Sequence, residues 1–339
     1  MRKDVTMISE HKITENQGQD PIEGQTNRPT NRDGEPSARS PDVAASSGKL
    51  GDGSIADSDS SSPSQPRQTI GRRRLEELSK MLSDRDWKIL KSLRKYRFLL
   101  TGQIQKLYFF DGTTAPANTR ATNRALKKLK GYGLIKPLKR RIGGVRSGSA
   151  SLVWHLSEAG QRLLALQQPD SGKRIRIGEP SPMFLEHLLS VAECAVQMEV
   201  ICRESEDLEV VSVDSEPSCW RPFTQDGRII QLKPDLYAVT TYEEYEDHWF
   251  LEMDLSTESK QQVVEKCRVY LNYYKTGIEQ VKHDLFPLVV WIVPDKNRKR
   301  VLIESIKSGL PAHPKMFLVI TPEELEPMLR QYIERDELC

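Results

Sequence analysis

Apolar residues in the middle of the chain recur at helical spacing, then give way to alternation, and the change marks successive elements. Ser83 followed by Asp84, Arg85 and Asp86 is a helix start, with a serine cap and acids in the first turn. Trp87, Leu90, Leu93 and Leu100 follow at or near helical spacing. The segment from Thr101 to Phe109 predicts a short second helix with Thr101 as its cap, and Asp111-Gly112 a turn. A third helix is predicted from about Pro116 or Asn118 to Lys130, ending at Gly131-Tyr132-Gly133, where glycine can adopt a left-handed C-cap. Ala121, Ala125, Leu126 and Leu129 give that helix its apolar stripe. Leu134–Leu138 and Leu152–Leu156 read as strands, joined by the glycine-rich loop from Lys139 to Gly148, and Ser157-Glu158-Ala159-Gly160 opens a closing helix.

Downstream, Pro182 to Arg203 has the spacing of a helix with one broad buried face. Strands are predicted at Leu208–Val213, at Ile229–Val239 with a kink at Pro234, and at Trp249–Asp254. A long helix from Ser256 to Tyr274 follows, then a strand at Leu288–Val293, a helix from Arg298 to Ser308 and a strand from Met316 to Ile320. Thr321-Pro322-Glu323-Glu324 opens the last helix. The order is α-β-β-β-α-β-α-β, with no internal repeat and no Walker-type phosphate loop.

Charge changes this picture more than composition does. The 339 residues have a formal net charge of +2, but residues 1–70 sum to −3, 71–168 to +16 and 169–339 to −11. The first of these segments has no aromatic residue and is rich in Ser, Pro, Gly, Asp and Gln, so it reads as a disordered tail. The second concentrates cations on the third helix and on the loop between the two strands. Three helices, a basic two-stranded hairpin and a closing helix make a winged helix-turn-helix, predicted over 71–168. Its expected DNA contacts are Arg120, Asn123, Arg124, Lys127, Lys128 and Lys130 on the helix, and Lys139, Arg140, Arg141 and Arg146 on the wing. Trp87, Tyr108 and Trp154 read as core and His155 as structural. Five cysteines without a CxxC pair argue against a disulfide framework and a Cys-rich zinc site. No apolar run approaches the length of a membrane span and no apolar segment follows Met1-Arg2-Lys3-Asp4, so a cytoplasmic protein without a membrane partner is expected.

The acidic segment, predicted as an α/β domain over 180–335, carries one constellation with chemical potential. Asp235 lies near the end of one predicted strand, and Glu252 and Asp254 lie two apart on the next. Brought together, three carboxylates would supply hard oxygen ligands for Mg²⁺ or Mn²⁺. Pro234-Asp235 followed by Glu252-x-Asp254 in an αβββαβ frame resembles the PD-(D/E)xK (restriction-endonuclease-like) core. Asp254 stands where that family has its lysine, and Lys266 on the following helix is the candidate migrated amine. Lys266, Tyr270 and Tyr273 share one helical stripe. The structural alternative stands beside this: the acids face solvent, or pair with Lys266 and Arg268. His187, among leucines on the preceding helix, is a further candidate whose bland reading is structural.

Taken in order, these motifs resemble one family. They are Leu82-Ser83-Asp84-Arg85-Asp86-Trp87, Gly133-Leu134-Ile135 with the Gly-Gly wing, Trp154-His155-Leu156-Ser157-Glu158-Ala159-Gly160 and the His187 helix. Pro234-Asp235, Phe250-Leu251-Glu252-Met253-Asp254, Thr257-Glu258, Lys266, Tyr270 and Tyr273-Tyr274 complete the set. Together they resemble the replication-relaxation family of bacterial plasmid and mobile-element proteins over roughly residues 75–325. Leu255-Ser256 departs from the basic or small residue common after the Glu-x-Asp pair. The resemblance implies a role in plasmid DNA replication and relaxation, with DNA and replication or transfer proteins as partners. Three expectations follow. The first is a DNA-binding protein that needs no cofactor and whose nuclease-like domain is inactive and serves assembly. The second is a metal-dependent nuclease or nickase using Asp235, Glu252, Asp254 and Lys266 with Mg²⁺ or Mn²⁺. The third is a transcription regulator. The oligomeric state is not legible.

Overall fold

The computed structural model describes residues 70–138, 151–167 and 178–330. The predicted tail, save Ile70, lies outside them. So does the wing with Lys139, Arg140, Arg141 and Arg146. All described residues belong to one compact unit of mixed α and β structure. Among them no helix is long and apolar enough to cross a membrane.

The first half is mostly helical. Helices α1 (Arg72–Met81) and α2 (Asp84–Tyr96) lead into the short strand β1 (Leu99–Leu100), followed by α3 (Thr101–Tyr108) and α4 (Ala115–Gly131). Ser83 caps α2 through a reciprocal box with Asp86, an arrangement whose cap residue is typically worth about 1 kcal/mol. Thr101 is not the cap of α3 but its first residue. Leu100 occupies the cap position, its amide donating to Gln103 Oε1 at 2.8 Å. The Thr101 hydroxyl instead accepts from Trp154 Nε1 at 2.9 Å. Gly133, at φ +72°, turns the chain out of α4 as glycine readily does. Strands β2 (Ile135–Pro137) and β3 (Val153–Leu156) pair antiparallel, and β1 joins β3 on its other edge. Helix α5 (Glu158–Gln167) closes this half. The predictions did not include α1.

Helix α6 (Pro182–Arg203) has the predicted bounds, with Ser181 capping it. It leads into β4 (Leu208–Ser215), β5 (Arg221–Gln225), β6 (Arg228–Leu232), β7 (Leu236–Tyr242) and β8 (Tyr245–Met253). One kinked strand over 229–239 is therefore wrong. Pro234 has no amide to donate to a ladder, and the segment divides there into β6, which makes a separate hairpin with β5, and β7. Helix α7 (Lys260–Tyr274) starts later than predicted, because Ser259 and Gln262 form its capping box and Ser256 sits at φ +61°. Helix α8 (Ile278–His283), β9 (Leu288–Ile292), α9 (Lys296–Gly309), β10 (Phe317–Ile320) and α10 (Leu325–Leu329) follow among the described residues.

The main sheet has the order β10-β9-β8-β7-β4. Strands β8, β9 and β10 are parallel, while β7 and β4 form an antiparallel meander with β8. Its two faces alternate residue by residue. Leu236, Ala238, Trp249 and Leu251 face α6, in a cluster that continues into α1, α2, α4 and α5. Tyr237, Val239, Phe250 and Trp291 face α7 and α9. A third cluster joins Phe98, Leu138 and Val153 of the first half to Leu185, Leu188 and Leu189 of α6. Polar bonds cross the same seam. Gln103 Nε2 donates to Leu189 O and to Glu193, each at 3.0 Å; Lys106 Nζ donates to Glu193 at 2.6 Å and Ser215 Oγ to Lys95 O at 2.8 Å. At the end of α2, Arg97 adopts φ +66°, ψ −48°, and the Phe98 amide donates to Tyr96 O at 2.7 Å. This tight three-residue turn costs a non-glycine residue on the order of 1–3 kcal/mol.

Candidate functional site

Two sets of predicted site residues can be located. The first lies on α4, which Thr114 caps through the Ala117 amide. Thr122, Leu126 and Leu129 bury one side of this helix. Arg120, Asn123, Arg124, Lys127 and Lys130 are exposed on the other, spaced so that they form one stripe. None of the five has an ion pair or side-chain hydrogen bond among the described residues. Lys128 stands apart. Its ammonium reaches back to Asp86 Oδ2 at 2.5 Å, joining α4 to the cap of α2. Burial would raise the Asp86 carboxyl, but the bonds from Lys128 and Ser83 hold it below the ordinary carboxylate value.

The second set is the three carboxylates, all of them buried. Asp235 sits just before β7; its Oδ1 lies 3.2 Å from His187 Nε2 on α6, and its Oδ2 accepts the Met253 amide at 2.7 Å. Glu252, in β8, accepts from Tyr270 Oη at 2.5 Å on one oxygen and from Lys266 Nζ at 2.7 Å on the other. Lys266 also lies 5.5 Å from the centre of the Trp291 ring. Asp254, just past β8, is gripped by Arg298 of α9, from Nε at 2.5 Å and Nη2 at 3.0 Å, and accepts the Ser256 amide at 3.1 Å. The structure thus joins Asp235 to His187 and Glu252 to Lys266 and Tyr270, and holds Asp254 by a separate helix. Arg268, the other suggested partner, bonds Glu265 instead.

Electrostatics follow from this wiring. Burial pushes the Glu252 carboxyl up to about 8; the Lys266 ammonium opposes that and the Asp235 charge adds to it. Burial also works against a charged Lys266, but Glu252 and Asp235 outweigh it and lift the ammonium above the usual lysine value. For Asp235 burial is again the largest influence and is upward. The His187 bond and the Lys266 charge reverse it, leaving the carboxyl below its ordinary value. The same bond raises His187.

Oxygen donors of this kind suit a divalent cation, but their placement does not. Each of the six carboxylate oxygens already accepts a hydrogen bond from a protein donor. Among the described residues no three His, Cys, Asp or Glu side chains are grouped to hold a metal ion. Sequence reasoning missed Arg298. It lies 44 positions beyond its partner, and no local pattern announces such a pairing.

Comparison with known proteins decides the family. The family model for replication-relaxation matches residues 90–289, more than half of the chain. The chain belongs to the replication-relaxation family. Membership ties it to replication or relaxation. The matched stretch takes in α4, His187, all three carboxylates and Lys266, and stops before Arg298. No curated protein and no solved structure matches the chain.

Proposed function

We propose that this replication-relaxation protein binds DNA in plasmid or mobile-element replication, and that its sheet domain is nuclease-like in frame but does not cut. In this reading α2, α3, α4 and the β1–β3–β2 sheet form a winged helix, with α4 in the major groove and the basic segment from Lys139 to Gly148 as the wing. The meander β4–β7–β8 followed by α7 and parallel β9 has the element order of a PD-(D/E)xK core. One contrast carries the proposal. Arg120, Arg124, Lys127 and Lys130 of α4 stand exposed without counterions among the described residues, while every oxygen of the carboxylate set already accepts from a protein donor. Free surface cations can neutralise phosphates and release counterions. An incoming metal would have to share each oxygen with a protein donor already bound to it.

The test combines gel shift and nicking on supercoiled plasmid, with Mg²⁺ or Mn²⁺ against EDTA. We expect a shifted plasmid that stays supercoiled. Arg124→Ala should weaken binding and reduce the slope of log K against log salt by about 1. Open-circle product that requires metal and vanishes in Glu252→Ala would replace this reading with a nuclease. Binding confined to promoter fragments would replace it with a transcription regulator.

A further inference from the structure

The seam between the helical half and the sheet holds a small cavity that the function proposed above does not use. It lies where the end of α2 meets α6, the end of β4 and Asp235, and Lys95, Arg97, His187 and Glu216 are among the residues lining it. Its volume of about 20 Å³ has room for about one water molecule or one phosphate oxygen.

Arg97 is set apart by two independent observations. The other half-buried arginines among the described residues, Arg94, Arg162, Arg221, Arg298 and Arg330, each have a hydrogen-bonded partner. Arg97 is half-buried and has none among those residues. A guanidinium that lines a cavity and has no protein partner keeps its fork of donors for an incoming anion. Its backbone is the second observation. The turn at φ +66° is one that glycine adopts freely and arginine does not, yet arginine stands there between buried Tyr96 and Phe98. Strain retained at a charged, unpaired side chain points to a ligand rather than to packing.

The surroundings favour an anion. Lys95 lines the cavity beside Arg97, while His187 is committed to Asp235. The negative charge of Asp235 is met by His187 and the Met253 amide, which leaves Glu216 as the one lining acid not so engaged. We propose that this pocket takes a backbone phosphate of bound nucleic acid, with Arg97 as its principal ligand. The proposal rests on the DNA-binding reading and adds to it a contact outside α4.

The experiment compares wild type with Arg97→Gly, Arg97→Lys and, as a reference, Arg124→Ala. Binding to a long duplex is measured over a salt series, and thermal unfolding in inorganic phosphate against chloride at equal ionic strength. Arg97→Gly relaxes the turn, so it should unfold at an equal or higher temperature than wild type. It should nevertheless bind about tenfold more weakly, with a salt slope reduced by about 1, as for loss of one charge-assisted phosphate contact. Arg97→Lys should restore the slope and only part of the affinity, since a point charge replaces a fork. A folded Arg97→Gly whose affinity and salt slope match wild type overturns the pocket. If wild type binds no DNA, the DNA-binding reading fails and the phosphate arm decides. Stabilisation of wild type by phosphate that Arg97→Gly lacks supports an anion site for a free phosphate. Equal responses overturn it.

Discussion

Asp86 and Glu252 are both buried acids bonded to a lysine, yet their protons behave oppositely. Asp86 belongs to a helix cap and receives three polar hydrogens from Ser83 and Lys128, so its folded-state carboxyl lies below its unfolded value. Its contribution to stability is present above the unfolded value near 3.9 and is lost as pH falls through the folded one. Asp86→Ala should therefore destabilise by about 1–3 kcal/mol at neutral pH, and by less in acid, as read by urea unfolding. Glu252 is fully buried and its folded-state value is raised to about 8. The folded protein then holds the proton more tightly than the unfolded chain, and stability falls as pH rises from about 4.3 towards 8. Glu252→Gln removes this dependence. The stability of the variant relative to wild type should rise between pH 5 and 9, and a flat difference would show that Glu252 stays charged throughout.

Among the elements, α4 and α6 were readable from their helical stripes alone, and the structure adds the caps Thr114 and Ser181 that the sequence reading did not use. Boundaries went astray where a side chain had two competing uses. Thr101 looks like a cap, but its hydroxyl serves Trp154, 53 residues away, while Gln103 closes the helix end. Ser256 and Ser259 are both plausible starts for α7, and only the second has a glutamine three residues on to complete a box. The carboxylates themselves were visible as a local pattern. Their full set of partners was not, because Tyr270, Lys266 and Arg298 reach them from two helices whose docking no periodicity encodes. A tighter constraint on an element lies at Gly160 in α5. A Cβ added there would sit 2.2 Å from the Leu134 carbonyl oxygen and 3.1 Å from a Leu156 methyl. The first contact is backbone and cannot swing aside. Gly160→Ala should cost about 1–3 kcal/mol, the range for overpacking, despite its better helix propensity, and thermal unfolding would reveal it.

Across the whole molecule, the division of charge read from the sequence coincides with a change of architecture, but not with a break in the core. One hydrophobic cluster runs from α1 through the helical half to β10 and α10. Glu193 on α6 receives bonds from Gln103 and Lys106 on α3 across the seam. Unfolding should accordingly be one transition, with the same midpoint by fluorescence and by far-UV dichroism. Glu193→Ala should lower that midpoint without splitting the curve, whereas two transitions would mean that the halves melt separately.

Helix α6 supports the sheet along one side and shelters Phe98 and Val153 on the other, so it is a beam common to two rooms. A chimera that exchanged the helical half between relatives by cutting at residues 168–177, the obvious seam in the sequence, would bring a foreign surface against Leu185, Leu188 and Leu189. Inheritance has to respect the beam. An exchangeable helical half must travel with the matching flank of α6, so under the proposed DNA-binding role new target preferences should arise more readily by changes on the outer stripe of α4 than by swapping the half as a cassette.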